Sequence, residues 1–121
     1  MKRDMELVRA ILLAMEASPH GFAPLPFTVA GYDQGVIEHH VWLMEQGQLV
    51  TAEETTALGD ASPLAMPLSI TWRGHDFLDT VRTDRVWLKV KAELKDRAMS
   101  LPFELLTDLA MKIAKSYVGL D

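Results

Sequence analysis

Residues 33–72 read DQGVIEHHVWLMEQGQLVTAEETTALGDASPLAMPLSITW, and this stretch decides the fold. Its first half predicts a helix from Asp33 to Gly47. Asp33 offers a carboxylate to the free amides of the first turn. Gly47 is the residue best able to take the left-handed conformation that closes a helix. Leu49, Val50 and Thr51 then suit a strand, as do Leu68, Ile70 and Trp72, with a polar turn rich in Ala, Gly, Asp, Ser and Pro between them. The expected pairing is antiparallel, residues 49–53 against 67–72, across a loop that is long for a hairpin. A helix that ends in glycine and runs into a hairpin is the second half of a winged helix-turn-helix.

The helical phase divides the first half of the stretch by face. At about 100° per residue, Val36, Ile37, His40, Val41, Leu43 and Met44 gather on one side. Glu38, His39, Glu45 and Gln46 lie on the other, and Trp42 falls near the middle of that polar side. An outward Trp is a favoured anchor at interfaces; the alternative is that a C-terminal helix covers it. His40 points inward and is expected to be a hydrogen-bonded core histidine.

The flanking segments supply helices. Met5, Val8, Leu12 and Met15, widened by Leu7 and Ile11, predict a helix over Asp4–Ser18, ended by Ser18-Pro19-His20-Gly21. Pro24 and Pro26 forbid a helix around Leu25, and Phe27, Thr28 and Val29 read as a short strand. After the hairpin, Thr71 can cap a helix to about Arg82, with Phe77, Leu78 and Val81 on one face. Thr83 or Asp84 begins another, to about Ala98, with Val86, Trp87, Val90 and Leu94 aligned. Ser100 is the expected cap of the last, whose stripe is Phe103, Leu106, Ala110, Ile113 and Tyr117.

Composition bounds the class. The chain has 121 residues, no cysteine, 49% hydrophobic and 24% charged residues and a formal net charge of −5. That suits one soluble domain with a modest core, and offers neither disulfides nor thiolate metal ligands. The apolar run Ala10–Met15 is too short and too closely flanked by acids for a signal peptide or a membrane span, so the expected location is cytoplasmic.

Charge is distributed unevenly. From Ala10 through Trp72 there is no Lys or Arg, while Glu16, Asp33, Glu38, Glu45, Glu53, Glu54 and Asp60 all fall there. In a DNA-reading winged helix this helix and wing face the phosphates, where Lys and Arg supply most of the salt-dependent affinity. An acidic helix and wing should repel DNA. Trp42, Glu38, Glu45, His39 and Gln46 are therefore candidate contacts for another protein, a basic one by charge. Residues 73–121 carry nine Lys or Arg against eight acids. Arg82, Arg85, Lys89, Lys91, Lys95 and Arg97 form the alternative, nucleic-acid-binding candidate, although interleaved Asp84, Glu93 and Asp96 favour i,i+4 pairing on a solvated helix.

Enzyme motifs are missing: there is no phosphate loop, no dinucleotide fingerprint and no GxSxG. His39 and His40 point about 100° apart and are poorly placed to chelate one metal. His20 falls in a turn. His75, Asp76 and Asp79 read as helix-surface residues, so no catalytic residue, metal or cofactor is expected.

Four segments carry a resemblance. MKRDMELVRAIL, IEHHVWLMEQGQLV, ITWRGHDFLDTVR and SLPFELLTDLAMK, in that order, resemble a small bacterial and phage family that is described only as a domain of unknown function and regarded as winged-helix-like. The resemblance spans nearly the whole chain. It implies a phage or prophage setting and no known activity, so no catalytic residue is carried over. One departure from the wider winged-helix pattern is that no clear second helix lies between the first helix and Asp33.

The expectation is a mainly α (α+β) protein of one domain. A winged-helix-like core over 1–82 carries a β-hairpin wing, and C-terminal helices over 83–121 pack on it and offer a route to a homodimer. The expected function is non-enzymatic protein binding through the acidic helix-and-wing face, in modulating a host defence component or a regulator. The alternative is a winged-helix DNA-binding transcriptional regulator.

Overall fold

The computed structural model of the chain describes residues 1–95 and 101–119. Among them the elements run α1 (Met5–Glu16), α2 (Gln34–Gln46), β1 (Val50–Glu54), β2 (Ala65–Ile70), α3 (Trp72–Val81), α4 (Asp84–Leu94) and α5 (Phe103–Val118). The fold is mainly helical, with one two-stranded antiparallel hairpin. The chain forms two compact units, Met1–His75 and Asp76–Asp121. The predicted continuation to Ala98, Arg97 within it, and the cap Ser100 lie outside the described residues.

In the first unit α2 packs on α1 and on both strands. The core is Met5, Leu7, Val8, Ile11, Leu12 and Met15 from α1, Ile37, Val41 and Met44 from α2, and Leu49, Val50 and Ala65 from the hairpin. This is the helical phase expected of both helices. Asp4 caps α1, its Oδ1 accepting from the amides of Glu6 and Leu7 at 2.9 and 3.3 Å.

The ends of α2 differ from expectation. Asp33 occupies the N-cap position but its carboxylate makes no capping hydrogen bond; its carbonyl accepts from Val36 and Ile37 instead. Gly47 sits at φ −81°, and Gln48 is the residue in the left-handed region, at φ 65°. The amide of Leu49 bonds to the carbonyl of Met44, and that of Gln48 to Glu45. These are the two bonds of a Schellman motif. The motif needs its left-handed residue one position after the C-cap, so the glycine is one place too early.

The hairpin pairs Val50 with Ile70, Thr51 with Ser69, Ala52 with Pro67, Glu53 with Met66 and Glu54 with Ala65. An irregularity between Thr51 and Ala52 leaves Leu68 without a partner on β1. A bulge beside Pro67 is what a residue without an N–H donor allows in a strand. Trp72 is not part of the strand. Thr71 caps α3 through Oγ1, which accepts from the amide of Gly74 at 3.0 Å, so Trp72 becomes the first helical residue.

Phe27-Thr28-Val29 do not form a strand. The segment between α1 and α2 is irregular, with a cis Leu25–Pro26 peptide. Pro24 and Pro26 can donate nothing to a ladder, and one bond ties the segment to the sheet, from the amide of Ala23 to the carbonyl of Leu68 at 2.8 Å. Phe27 is buried and its carbonyl accepts from Gln34 Nε2. The described residues hold no helix between α1 and α2.

In the second unit α4 packs on α5. Phe77, Leu78, Val81, Val86, Trp87, Val90, Leu106, Ala110 and Ile113 are buried, and the rings of Phe77 and Phe103 lie 5.0 Å apart. Thr83 caps α4, accepting from the amide of Val86. Helix α5 opens with Pro102 in the cap position and no side-chain cap bond. Tyr117, expected in the buried stripe, is at the surface, with the guanidinium of Arg85 4.0 Å above its ring.

Candidate protein-binding face

The face in question is the polar side of α2 together with the wing. Glu45 and Gln46 are exposed, while Glu38, His39 and Trp42 are half-buried. Gln34 fixes Glu38: its Nε2 donates to Glu38 Oε2 at 2.9 Å and to the carbonyl of Phe27 at 3.0 Å. Trp42 does not stand alone in solvent. Its ring stacks on that of His39, with centroids 5.9 Å apart and planes 14° off parallel. His39 in turn donates through Nδ1 to the carbonyl of Pro63 at 2.8 Å. The aromatic pair therefore joins helix to wing.

The wing is internally tied. The amide of Thr55 bonds to the carbonyl of Leu64, and the amide of Leu64 bonds to Thr56 Oγ1 at 2.8 Å. At the tip, the amide of Asp60 bonds to the carbonyl of Ala57, and Asp60 Oδ2 accepts from the amide of Ala57 at 2.7 Å. Gly59, at φ 95°, holds the turn position that needs a left-handed residue. Leu58 is thereby presented at the apex, fully exposed. Asp60, counted among the acids of this face, is used in building the turn; Glu53 and Glu54 remain exposed on the hairpin.

On the inward side of α2, His40 is 1% exposed. Its Nδ1–H donates to the carbonyl of Val36 at 2.9 Å, and its Nε2 accepts from the amide of Asp4 at 2.9 Å. An N-cap amide is often satisfied by a Glu or Gln three residues on. Leu7 holds that place here, and His40 from another helix substitutes for it. Both ring nitrogens are thus committed in the neutral form. Burial pushes the imidazole below its usual range, and nearby His39 adds to this, against the opposing pull of the Val36 carbonyl and of Asp4. Tyr32 is raised, by burial first and then by the charges of Asp4 and Glu6.

Two small clefts flank the core of this unit. One, of about 130 Å³, is lined by Phe27, Gln34, Glu38, Thr55, Met66 and Pro67. The other, of about 100 Å³, brings His20 and His75 together with Glu16 and Ile70. His20 Nδ1 is engaged there by the amide of Phe22. Among the described residues no three His, Asp or Glu side chains are placed to hold a metal ion.

The alternative basic set sits in the second unit. Arg82 pairs with Asp79, Arg85 covers Tyr117, and Lys89 Nζ lies 3.3 Å from Glu93 Oε1. Lys91 and Lys95 lie on and at the end of α4, and Arg97 falls outside the described residues. Arg82 and Lys89 are thus engaged with acids three or four residues away along the chain, and Arg85 with an aromatic ring.

Leu58 and Trp72 are among the exposed apolar residues, and a local sequence signal existed for each. Leu58 could have been found from the turn Ala57-Leu58-Gly59-Asp60, which puts the residue before a left-handed glycine at the corner. Trp72, 85% exposed, could have been found by following the Thr71 cap through to its first helical residue.

The family model described as "Hypothetical protein (DUF2513)" matches residues 2–100. A protein of Haemophilus influenzae named "Uncharacterized protein" is 32% identical over 114 residues, covering 93% of this chain and 95% of the relative. No solved structure matches. Among the described residues no helix is long and apolar enough to cross a membrane.

Proposed function

The chain belongs to this family of unknown function, and from that premise we propose that it is a non-enzymatic protein that binds another protein through the acidic face of α2 and the wing. One observation carries the reading: Ala10–Trp72 contains no Lys or Arg, while Glu45, Glu53 and Glu54 stand exposed on that face. A helix and wing of this charge disfavour a polyanion and favour a basic protein surface. Trp42, stacked on His39, is the proposed anchor, and Leu58 adds an apolar point at the wing tip. A face of this charge can also compete for the nucleic-acid site of its partner. The winged-helix-like reading rests on the order of helix and hairpin over residues 33–72 and on the resemblance, the cytoplasmic location on the short apolar run Ala10–Met15, and the phage or prophage setting, with a host defence component or regulator as partner, on the four segments of resemblance.

Capture from host lysate, read by mass spectrometry, identifies the partner, and three measurements on it test the face. Trp42→Ala weakens the complex by about 2 kcal/mol or more if the residue is an anchor. Glu38→Lys with Glu45→Lys mainly slows association, because exposed charges steer encounter. Wild-type protein shows negligible duplex DNA binding near physiological salt. Sequence-specific operator binding, lost on changes within residues 34–46, would overturn the proposal in favour of a DNA-binding regulator.

A further inference from the structure

A second surface of the first unit lies along the bulged strand and the start of α3. The bond from the Ala23 amide to the Leu68 carbonyl sets the loop 20–25 against β2. The cleft shared by His20, Gly21, Ala23, Ile70 and His75 carries the same loop up to the first turn of α3. Trp72 and His75 are three residues apart on that helix and share a face. Phe22 and Leu25 flank Ala23 in sequence. These contacts bring the backbone around Phe22, Leu25, Leu68 and Trp72 into one region of the unit, and the four residues are exposed by 67, 73, 40 and 85% respectively.

Side chains of this kind carry up to about 250 Å² each, so at these exposures the four offer on the order of 500 Å². That is the upper end of what a monomer leaves in water. The low charge of the surface favours a second copy of the chain as its occupant. All the fixed charge between Ala10 and Trp72 is acidic, yet the cleft in this surface is lined by two imidazoles and one half-buried carboxylate, Glu16. The exposed charges beside Trp72 at its α3 edge, Arg73 and Asp76, are of opposite sign, so two copies of this acidic protein can meet here with little like-charge repulsion. Two such patches together bury about 1,000 Å², the lower bound of a specific interface.

We propose that Phe22, Leu25, Leu68 and Trp72 form a two-fold interface with a second copy of this chain. The interface is isologous, so each residue enters twice.

Sedimentation equilibrium on the full chain, up to high micromolar concentration, tests this with Trp72→Asp, Phe22→Asp and, on the exposed surface of α4 and α5, Leu88→Asp and Leu105→Asp. The expected result is a wild-type dimer weakened about 30-fold or more by either Trp72→Asp or Phe22→Asp and unchanged by the other two. Circular dichroism establishes that each variant is folded, and Phe22, on an irregular loop, gives the test independently of α3. A wild-type monomer throughout overturns the proposal. So does a dimer that survives Trp72→Asp and Phe22→Asp but is lost with Leu88→Asp or Leu105→Asp, which would place the interface on the C-terminal helices.

Discussion

Replacing His40 with Phe keeps a flat ring in the core and removes both polar contacts. The Val36 carbonyl retains a partner, because within the helix it accepts the amide of residue 40. The Asp4 amide has none left at the end of α1. An orphaned, partly buried donor costs about 1–3 kcal/mol, and the slightly larger ring adds up to about 1 kcal/mol of crowding. At pH 7.5 the expected loss is therefore roughly 2–3 kcal/mol, or about 10 °C in Tm for a chain of this size. The pH dependence is the sharper test. His40 has its folded pKa depressed by burial, so below about pH 6.5 the unfolded chain takes up a proton that the folded chain refuses. Wild-type stability is then fully present above pH 6.5 and falls as the pH drops towards the folded pKa, by at most about 1.4 kcal/mol per unit for this one group. Urea denaturation of wild type and His40→Phe at pH 7.5, 6.5 and 5.5 reads both effects. The difference between the two proteins should shrink as the pH falls. A constant difference would show that His40 does not titrate in this way, and a loss under about 0.5 kcal/mol at pH 7.5 would show that the Asp4 bond carries no weight.

Gly74→Ala should destabilise by about 3 kcal/mol or more in chemical denaturation, because the new methyl would lie 2.0 Å from the Leu49 carbonyl oxygen and 2.8 Å from Ile70 Cγ2, and a backbone atom cannot move aside cheaply. Gly47→Ala with Gln48→Gly should raise stability by about 1 kcal/mol, read as a higher Tm: Ala is the better helix residue at 47, where its methyl meets carbonyl oxygens at ordinary contact distances of 3.6 and 3.8 Å, and Gly removes the left-handed penalty at 48. Gln48→Val should do the reverse. Asp60→Ala should leave global stability within about 0.5 kcal/mol while hydrogen exchange at the amide of residue 57 quickens, and an unchanged rate would count against the stapled wing tip.

The parts legible in the sequence were those set by local pattern. The phase of α2 follows from apolar spacing, so His40, Val41 and Met44 were placed inward correctly, and Thr71 announced α3. Apart from the helix ends at Gly47 and Trp72, the misreadings share a cause, which is that the deciding partner lies far along the chain. Gly47 looked like a left-handed cap, but the bonds from Gln48 and Leu49 shift that role by one residue, within the usual uncertainty of a helix end. Phe27-Thr28-Val29 had strand composition, yet the prolines before it leave Ala23 as the donor that meets β2. The candidate face was legible as charge and not as geometry: nothing local told that His39 would reach Pro63 and carry Trp42 with it. Nor did the spacing reveal Gly74, whose need for hydrogen at Cα comes from the Leu49 carbonyl across the hairpin base.

That base has an evolutionary consequence. The Thr71 hydroxyl and amide bond to the carbonyls of Gln48 and Leu49 at 2.6 and 3.0 Å, and Gly74 lets α3 close over the same point. The two ends of the hairpin are thus fastened before the wing begins. Doubling the length of a loop whose ends are already held costs only about 0.6 kcal/mol. Descendants of this chain can therefore lengthen, shorten or recharge the wing tip around Leu58 by insertion and deletion while α1, α2 and the core stay fixed. On the proposed reading of the wing as a binding face, partner choice can drift quickly on a scaffold that changes slowly.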